Sequence, residues 1–237
     1  FDGSEDMQPD LVWLKKRSGS GDHLIFDSVR GTNKRLQPNA TDAEVDRSSD
    51  NDEFKSFNSD GWTLGTFNSN VTGSGSSNIS WNWKAGTSFS NDASATSVGT
   101  IDSTGSSSQT AGFSIVSYTS NSSSSQSVAH NLGAVPHMII SKNRDNTSTH
   151  YNDWMIYHHS NATANDKKLK LNTTDAVSST NEWGDTDPTS TVYSVHTSGD
   201  GATNDGTDKI VSYVFTGIQG YSKFGSFVAN NQSGTNG

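Results

Sequence analysis

Four blocks of this sequence recur in the same order, each about 130 residues further along. Pro9-Asp10-Leu11-Val12-Trp13-Leu14-Lys15-Lys16-Arg17 returns as Pro136-His137-Met138-Ile139-Ile140-Ser141-Lys142-Asn143-Arg144. His23-Leu24-Ile25-Phe26 is answered by Trp154-Met155-Ile156-Tyr157. The stretch from Lys34 to Ala43 is answered by that from Lys167 to Ala176, and Ser80-Trp81-Asn82-Trp83 by Ser212-Tyr213-Val214-Phe215. Collinear self-similarity at a fixed spacing is the mark of one structural unit used twice, so whatever the first copy folds into, the second must also fold into.

The apolar segments are short, β-branched or aromatic, and alternate with polar residues, as in Phe113-Ser114-Ile115-Val116-Ser117-Tyr118 and Ile210-Val211-Ser212-Tyr213-Val214-Phe215. Alternation bounded by Gly, Asn, Asp and Ser predicts strands, and many short strands predict a sandwich or barrel. The expected fold is all-β, with two related jelly-roll-like β-sandwich units in tandem. The first unit spans residues 1–86 and the second 111–229. Residues 87–110, nearly pure Ser, Thr, Gly, Asn and Asp, read as a linker or long surface loop, and 230–237 as a flexible tail. Residues 41–47 and 174–180 read as single helical turns. The second copy is led in by the strand from Phe113 to Tyr118, for which the eight residues before Pro9 leave no room. An open edge at residues 11–14 is therefore expected, covered by another copy, another protein or the segment 220–228.

Composition narrows the partners. A formal charge of −9 and a pI near 5.1 set the chain against phosphate backbones and anionic membrane surfaces. No apolar run approaches a spanning helix, so neither nucleic-acid binding nor membrane insertion is expected. Cysteine is absent, which removes disulfides and thiolate chemistry. Mean hydropathy is −0.70, yet charged residues make up only 17%, and aromatics are spread along the whole chain. Aromatics bury much area each, so a few per unit hold a thin core.

Several stretches resemble a repeated domain of large virion proteins from marine tailed bacteriophages. They are residues 9–17, Phe26-Asp27-Ser28-Val29-Arg30-Gly31, Asp60-Gly61-Trp62-Thr63-Leu64-Gly65, Trp81-Asn82-Trp83-Lys84-Ala85-Gly86, residues 112–118, His130-Asn131-Leu132-Gly133 with Pro136, and Gly220-Tyr221-Ser222-Lys223-Phe224-Gly225. The resemblance covers most of the chain and carries no catalytic residues with it. It implies a place on the virion surface, in a tail fibre, an appendage or a particle decoration, and a role in structure or host attachment. The implied partners are further copies, other virion proteins and a host-surface glycan.

For catalysis, no nucleophile elbow, zinc-protease helix or phosphate-cradling loop occurs, and an enzyme is not expected. A dedicated carbohydrate-binding module is the alternative, and a polysaccharide depolymerase domain a more remote one. Sugar sites set flat aromatic faces beside Asn, Asp and Gln. Trp183, in the polar stretch Asn181-Glu182-Trp183-Gly184-Asp185, is the aromatic expected to be exposed, and Trp62 is a second candidate. His130 is the third, although a packed, hydrogen-bonded turn histidine is the favoured reading there. His150, His158 and His159 lack metal-site spacing, and no metal site is expected. No cofactor is expected either, with calcium in the acidic turns 2–6, 49–53 or 199–208 as the open exception.

Overall fold

The computed structural model describes residues 6–49, 53–66, 71–145, 152–197 and 203–229. The chain is all-β. The first half holds β1 (Leu11–Lys16), β2 (His23–Asp27), β3 (Lys34–Arg35), β4 (Val45–Asp46), β5 (Phe54–Asn58), β6 (Gly61–Leu64) and β7 (Asn78–Trp83). Next come β8 (Thr87–Asn91), a helical turn at Ala93–Thr96, β9 (Ser103–Ser108), β10 (Phe113–Thr119) and β11 (Gln126–Ala129). The remainder is β12 (Met138–Asn143), β13 (Met155–His158), β14 (Lys167–Lys170), β15 (Ser178–Ser179), β16 (Val192–Val195) and β17 (Lys209–Phe215). Among the described residues no helix is long and apolar enough to cross a membrane.

The repeat seen in sequence is kept in the strand registers. β1 lies between β2 and β7, and β12 lies between β13 and β17. Leu11 pairs with Asp27 and Trp83, and its counterpart Met138 pairs with their counterparts His158 and Phe215. Trp13 pairs with Ile25 and Trp81 as Ile140 pairs with Ile156 and Tyr213. Ile25 bridges Leu36 as Ile156 pairs with Leu169, and Lys34 faces Asp46 as Lys167 faces Ser179. Strand partners alternate faces, so equal register gives the two halves equal faces.

The halves do not stand apart. One layer of core is shared between the β2-β1-β7 sheet and the eight-stranded sheet: Leu11, Ile25, Trp13 and Trp83 meet Met138, Ile140, Ile156, Tyr213 and Phe215. These are the same positions of the repeat, so each half presents the same face to the other, as the subunits of a two-fold dimer do. The opposite faces form two outer layers. Val12, Leu24 and Phe26 pack on Phe54 under the β5–β6 hairpin, and Ile139, Met155 and Tyr157 pack on Trp183 under β11–β16. Burying each such side chain contributes about 1.5–3 kcal/mol.

Ion pairs also stitch the shared layer. The buried Arg30 donates to Asp27 at 2.5 Å and to Glu44 at 2.9 Å, and the Tyr213 hydroxyl donates to Asp27 at 2.7 Å. Arg144 of the second half grips Glu44 with two bonds of 2.8 and 2.9 Å. Burial alone would raise the Glu44 pKa, but hydrogen bonding by Arg144 and the charges of Arg30 and Arg144 hold it below the usual range.

Three sequence expectations are corrected here. Residues 87–110 are not a linker: β8 and β9 continue the large sheet beside β10, with Ser103, Ser106 and Ser107 buried. Their small side chains hide the period-two signal. Gly105 shows why bulk is excluded, since a Cβ there would sit 2.1 Å from the Ile115 carbonyl and 2.6 Å from the Phe89 ring. The helical turns expected at 41–47 and 174–180 contain β4 and β15 instead, each paired with the strand before it. The open edge is not residues 11–14, which are central, but β7, which among the described residues pairs with β1 alone.

Candidate functional site

The sequence candidates lie apart. Trp183 is buried, the opposite of the exposure expected for it: its indole donates to the Lys167 carbonyl at 3.0 Å and meets Tyr157 edge-on at 5.8 Å. The physical reason is the repeat. Glu182-Trp183 occupies the place of Glu53-Phe54, and Phe54 stacks on Phe26, the counterpart of Tyr157, at 4.7 Å. Trp62 sits in the other outer layer, tilted against Phe54, with its indole donating to Asn82 at 3.1 Å. His130 is buried beside Tyr193; its Nδ1 accepts the Leu132 N–H and its Nε2 faces the Thr189 carbonyl, both at 3.2 Å. Burial pushes its pKa down to about 4. The neutral ring accepting at Nδ1 must donate from Nε2, so both nitrogens are engaged in holding the turn.

His137 joins His158 and His159, while His150 lies outside the described residues, as do 2–5, 50–52 and 199–202 of the acidic turns. Among the described residues no three His, Asp or Glu side chains group as a metal site would. In the described part of the 199–208 turn, Asn204 and Asp208 bond to Asn121, Ser123 and Asn143.

The concavity with convergent recognition groups lies on the seam between the halves. A cleft of about 270 Å³ is lined by Trp13, His23, Pro38, Asn39, Leu171, Asn172, Thr173 and Thr174. It adjoins, across Trp13 and Leu171, an enclosed apolar cavity of about 160 Å³ in the shared core. Pro38-Asn39 and Leu171-Asn172 are counterparts in the repeat, so the two halves supply the same turn to opposite walls. Both turns are fixed identically. Asn39 Oδ1 accepts the His23 N–H at 2.8 Å while its amide donates to Asp22. Asn172 Oδ1 accepts the Trp154 N–H at 2.9 Å while its amide donates to Asp153.

Trp13 lines the cleft, edge-on to His23 at 5.9 Å and to the half-exposed Trp81 at 6.0 Å. Its indole N–H donates to His23 Nδ1 at 2.9 Å, which leaves Nε2–H as the donor of that ring. Burial first, then the Lys15 charge, lowers the His23 pKa, so the ring is neutral at pH 7. An aromatic side chain beside hydroxyls and a neutral imidazole is the surface chemistry that receives the apolar face and polar rim of a sugar, with the two asparagines holding the walls in place.

Sequence reasoning named Trp183 and Trp62 and passed over Trp13, because a tryptophan inside the strand Leu11–Lys16 reads as core. The missed signal was in the repeat itself, where His23 stands against Trp154. A broader groove of about 680 Å³ beside β8, β9 and β10 is polar, and three of its four charged groups are engaged structurally, Lys209 being the exposed fourth. Asp92 caps the helical turn, Asp102 accepts the Ala93 N–H, and Arg144 is held by Glu44.

No curated protein and no solved structure matches the chain. Residues 3–236 match the family described as Domain of unknown function (DUF7483), and since that match spans nearly the whole sequence, the chain belongs to this family.

Proposed function

We propose that this chain is a surface-exposed structural protein of a bacteriophage particle, in a tail fibre, appendage or decoration, and that it contributes to host attachment by gripping a cell-surface glycan. The virion setting is supported by the sequence resemblance described above. The attachment role is supported by one observation, the seam cleft, in which Trp13 lies among Asn39, Asn172, Thr173, Thr174 and His23. The reading is retention of a sugar rather than its cleavage, in keeping with the sequence resemblance, which carries no catalytic residues with it.

The test has two arms. Antibody raised against the purified chain should label intact particles, and unlabelled particles would sink the virion reading. The purified chain should also compete with particles for host cells, and Trp13→Ala should weaken that competition at least about tenfold, the effect of losing a central aromatic anchor. Equal competition by the variant would sink the cleft.

A further inference from the structure

In the second half β17 pairs with β12 on one side and β10 on the other. Its counterpart β7 pairs with β1 and carries nothing on its outer edge among the described residues. The consequence shows in the side chains. Val211 and Tyr213 of β17 are buried, whereas their counterparts Ile79 and Trp81 are each 42% exposed. Asn78–Trp83 contains no Pro or Lys, the usual guards of a free edge, and so offers a row of unpaired N–H and C=O groups.

The same chain carries a strand of the missing kind. Gly220-Tyr221-Ser222 matches Gly112-Phe113-Ser114, and Ser226-Phe227-Val228-Ala229-Asn230 matches Ser117-Tyr118-Thr119-Ser120-Asn121, with Gly225 as one added residue. Those second residues form and follow β10, the strand that β17 has and β7 lacks. Yet Tyr221 is 72% exposed, Phe227 92% and Val228 95%, large apolar groups that no described residue covers. Within the chain the segment does not pair with β7: Phe224 packs on Phe215 and His137, and its carbonyl meets His159 Nε2 at 3.2 Å.

We propose that residues 220–228 of one copy add as a strand to the open edge of β7 in a second copy. A donor and an acceptor at different places on one chain make a heterologous contact, which propagates head to tail. The pairing of β10 with β17 gives the register, placing Tyr221 opposite Trp83, Lys223 opposite Trp81 and Ser226 opposite Ile79. The added residue Gly225 falls in the middle, where a strand takes up one extra residue as a bulge.

The chain has no cysteine, so a disulfide trap reports this pairing cleanly. Ile79→Cys and Ser226→Cys lie on exposed segments, and each single variant should fold. Mixing the two under mild oxidation should give mainly the heterodimer, and the double variant should give a ladder of multimers. Light scattering on the unmodified chain should give a mass of at least twice 25.3 kDa that rises with concentration. A peptide of residues 220–230 should return it to 25.3 kDa. An internal cross-link in a monomeric double variant would overturn the proposal by showing that the chain covers its own edge. A constant monomer mass, or a mixture giving only homodimers, would overturn it as well.

Discussion

His23 and Trp154 occupy the same place in the two halves and do opposite things. Each follows an aspartate, and each has its backbone N–H fixed by the asparagine of its own half. Trp154 is buried, stacks on Tyr213 at 6.5 Å and 15°, and reaches across the seam to donate to the Gln37 carbonyl at 3.0 Å. The smaller ring of His23 turns to Trp13, and beside it lies the seam cleft. One half thus closes the shared layer and the other opens it, on the same backbone and in the same register. A repeated fold carries a site where one copy withholds the side chain that the other uses to fill space.

The sharpest way to break this comparison is to remove both side chains in turn. Trp154→Ala should cost about 3–5 kcal/mol, since it leaves a cavity in a packed layer and removes the indole's bond across the seam to the Gln37 carbonyl. His23→Ala should cost about 1 kcal/mol, mostly for the lost acceptor of the Trp13 indole. Urea denaturation of the two variants checks the ratio; equal losses would mean that the positions are not as different as their surroundings indicate.

A second test sets His23 against His130, a neutral histidine at the cleft against one in the core. The His130 pKa lies at about 4 in the folded chain and near 6.5 unfolded. The unfolded state therefore binds more protons through this window, and the stability due to His130 is full above pH 6.5 and lost as pH falls toward 4. At 1.36 kcal/mol per pKa unit that loss is about 3 kcal/mol. His130→Asn, compared with the unmodified chain by urea denaturation between pH 7 and 4, should show a correspondingly shallower loss. His23 lies close to solvent, and its smaller share should survive in that variant. An unchanged slope would remove His130 from the acid response.

Much of this was legible in the sequence because strands advertise their buried face by alternation. The repeat blocks predict equivalent pairings, and the registers of β1 and β12 bear that out residue for residue. Two kinds of structure were hidden. Ser103 to Ser108 pairs on both sides with side chains too small to show which face is buried, so it read as linker. Trp183 read as exposed because its neighbours are polar, although Glu182 beside it is buried too, as Glu53 is beside Phe54. The cleft was hidden for another reason: its walls come from turns about 130 residues apart, and only the packing of one half on the other brings Asn39 and Asn172 to a single opening.

The smallest expected change in stability belongs to the most informative substitution, His23→Trp. If the cleft is the empty counterpart of the space filled by Trp154, an indole built at position 23 should enter it. Its N–H would then meet the Lys170 carbonyl, which stands in the repeat where Gln37 stands. Filling the cleft removes apolar surface of Leu171 and Pro38 from water, which stabilises. The Trp13 indole loses its acceptor, which costs about 1 kcal/mol. The two terms nearly cancel, so stability should change by less than about 1 kcal/mol, while glycan retention is lost because the sugar no longer has room. Thermal melts and the competition assay read the two effects separately. A loss of more than about 2 kcal/mol would show that position 23 cannot take the larger ring, as expected for an overpacked site rather than an open one. Full glycan retention with a folded variant would place the sugar elsewhere on the chain.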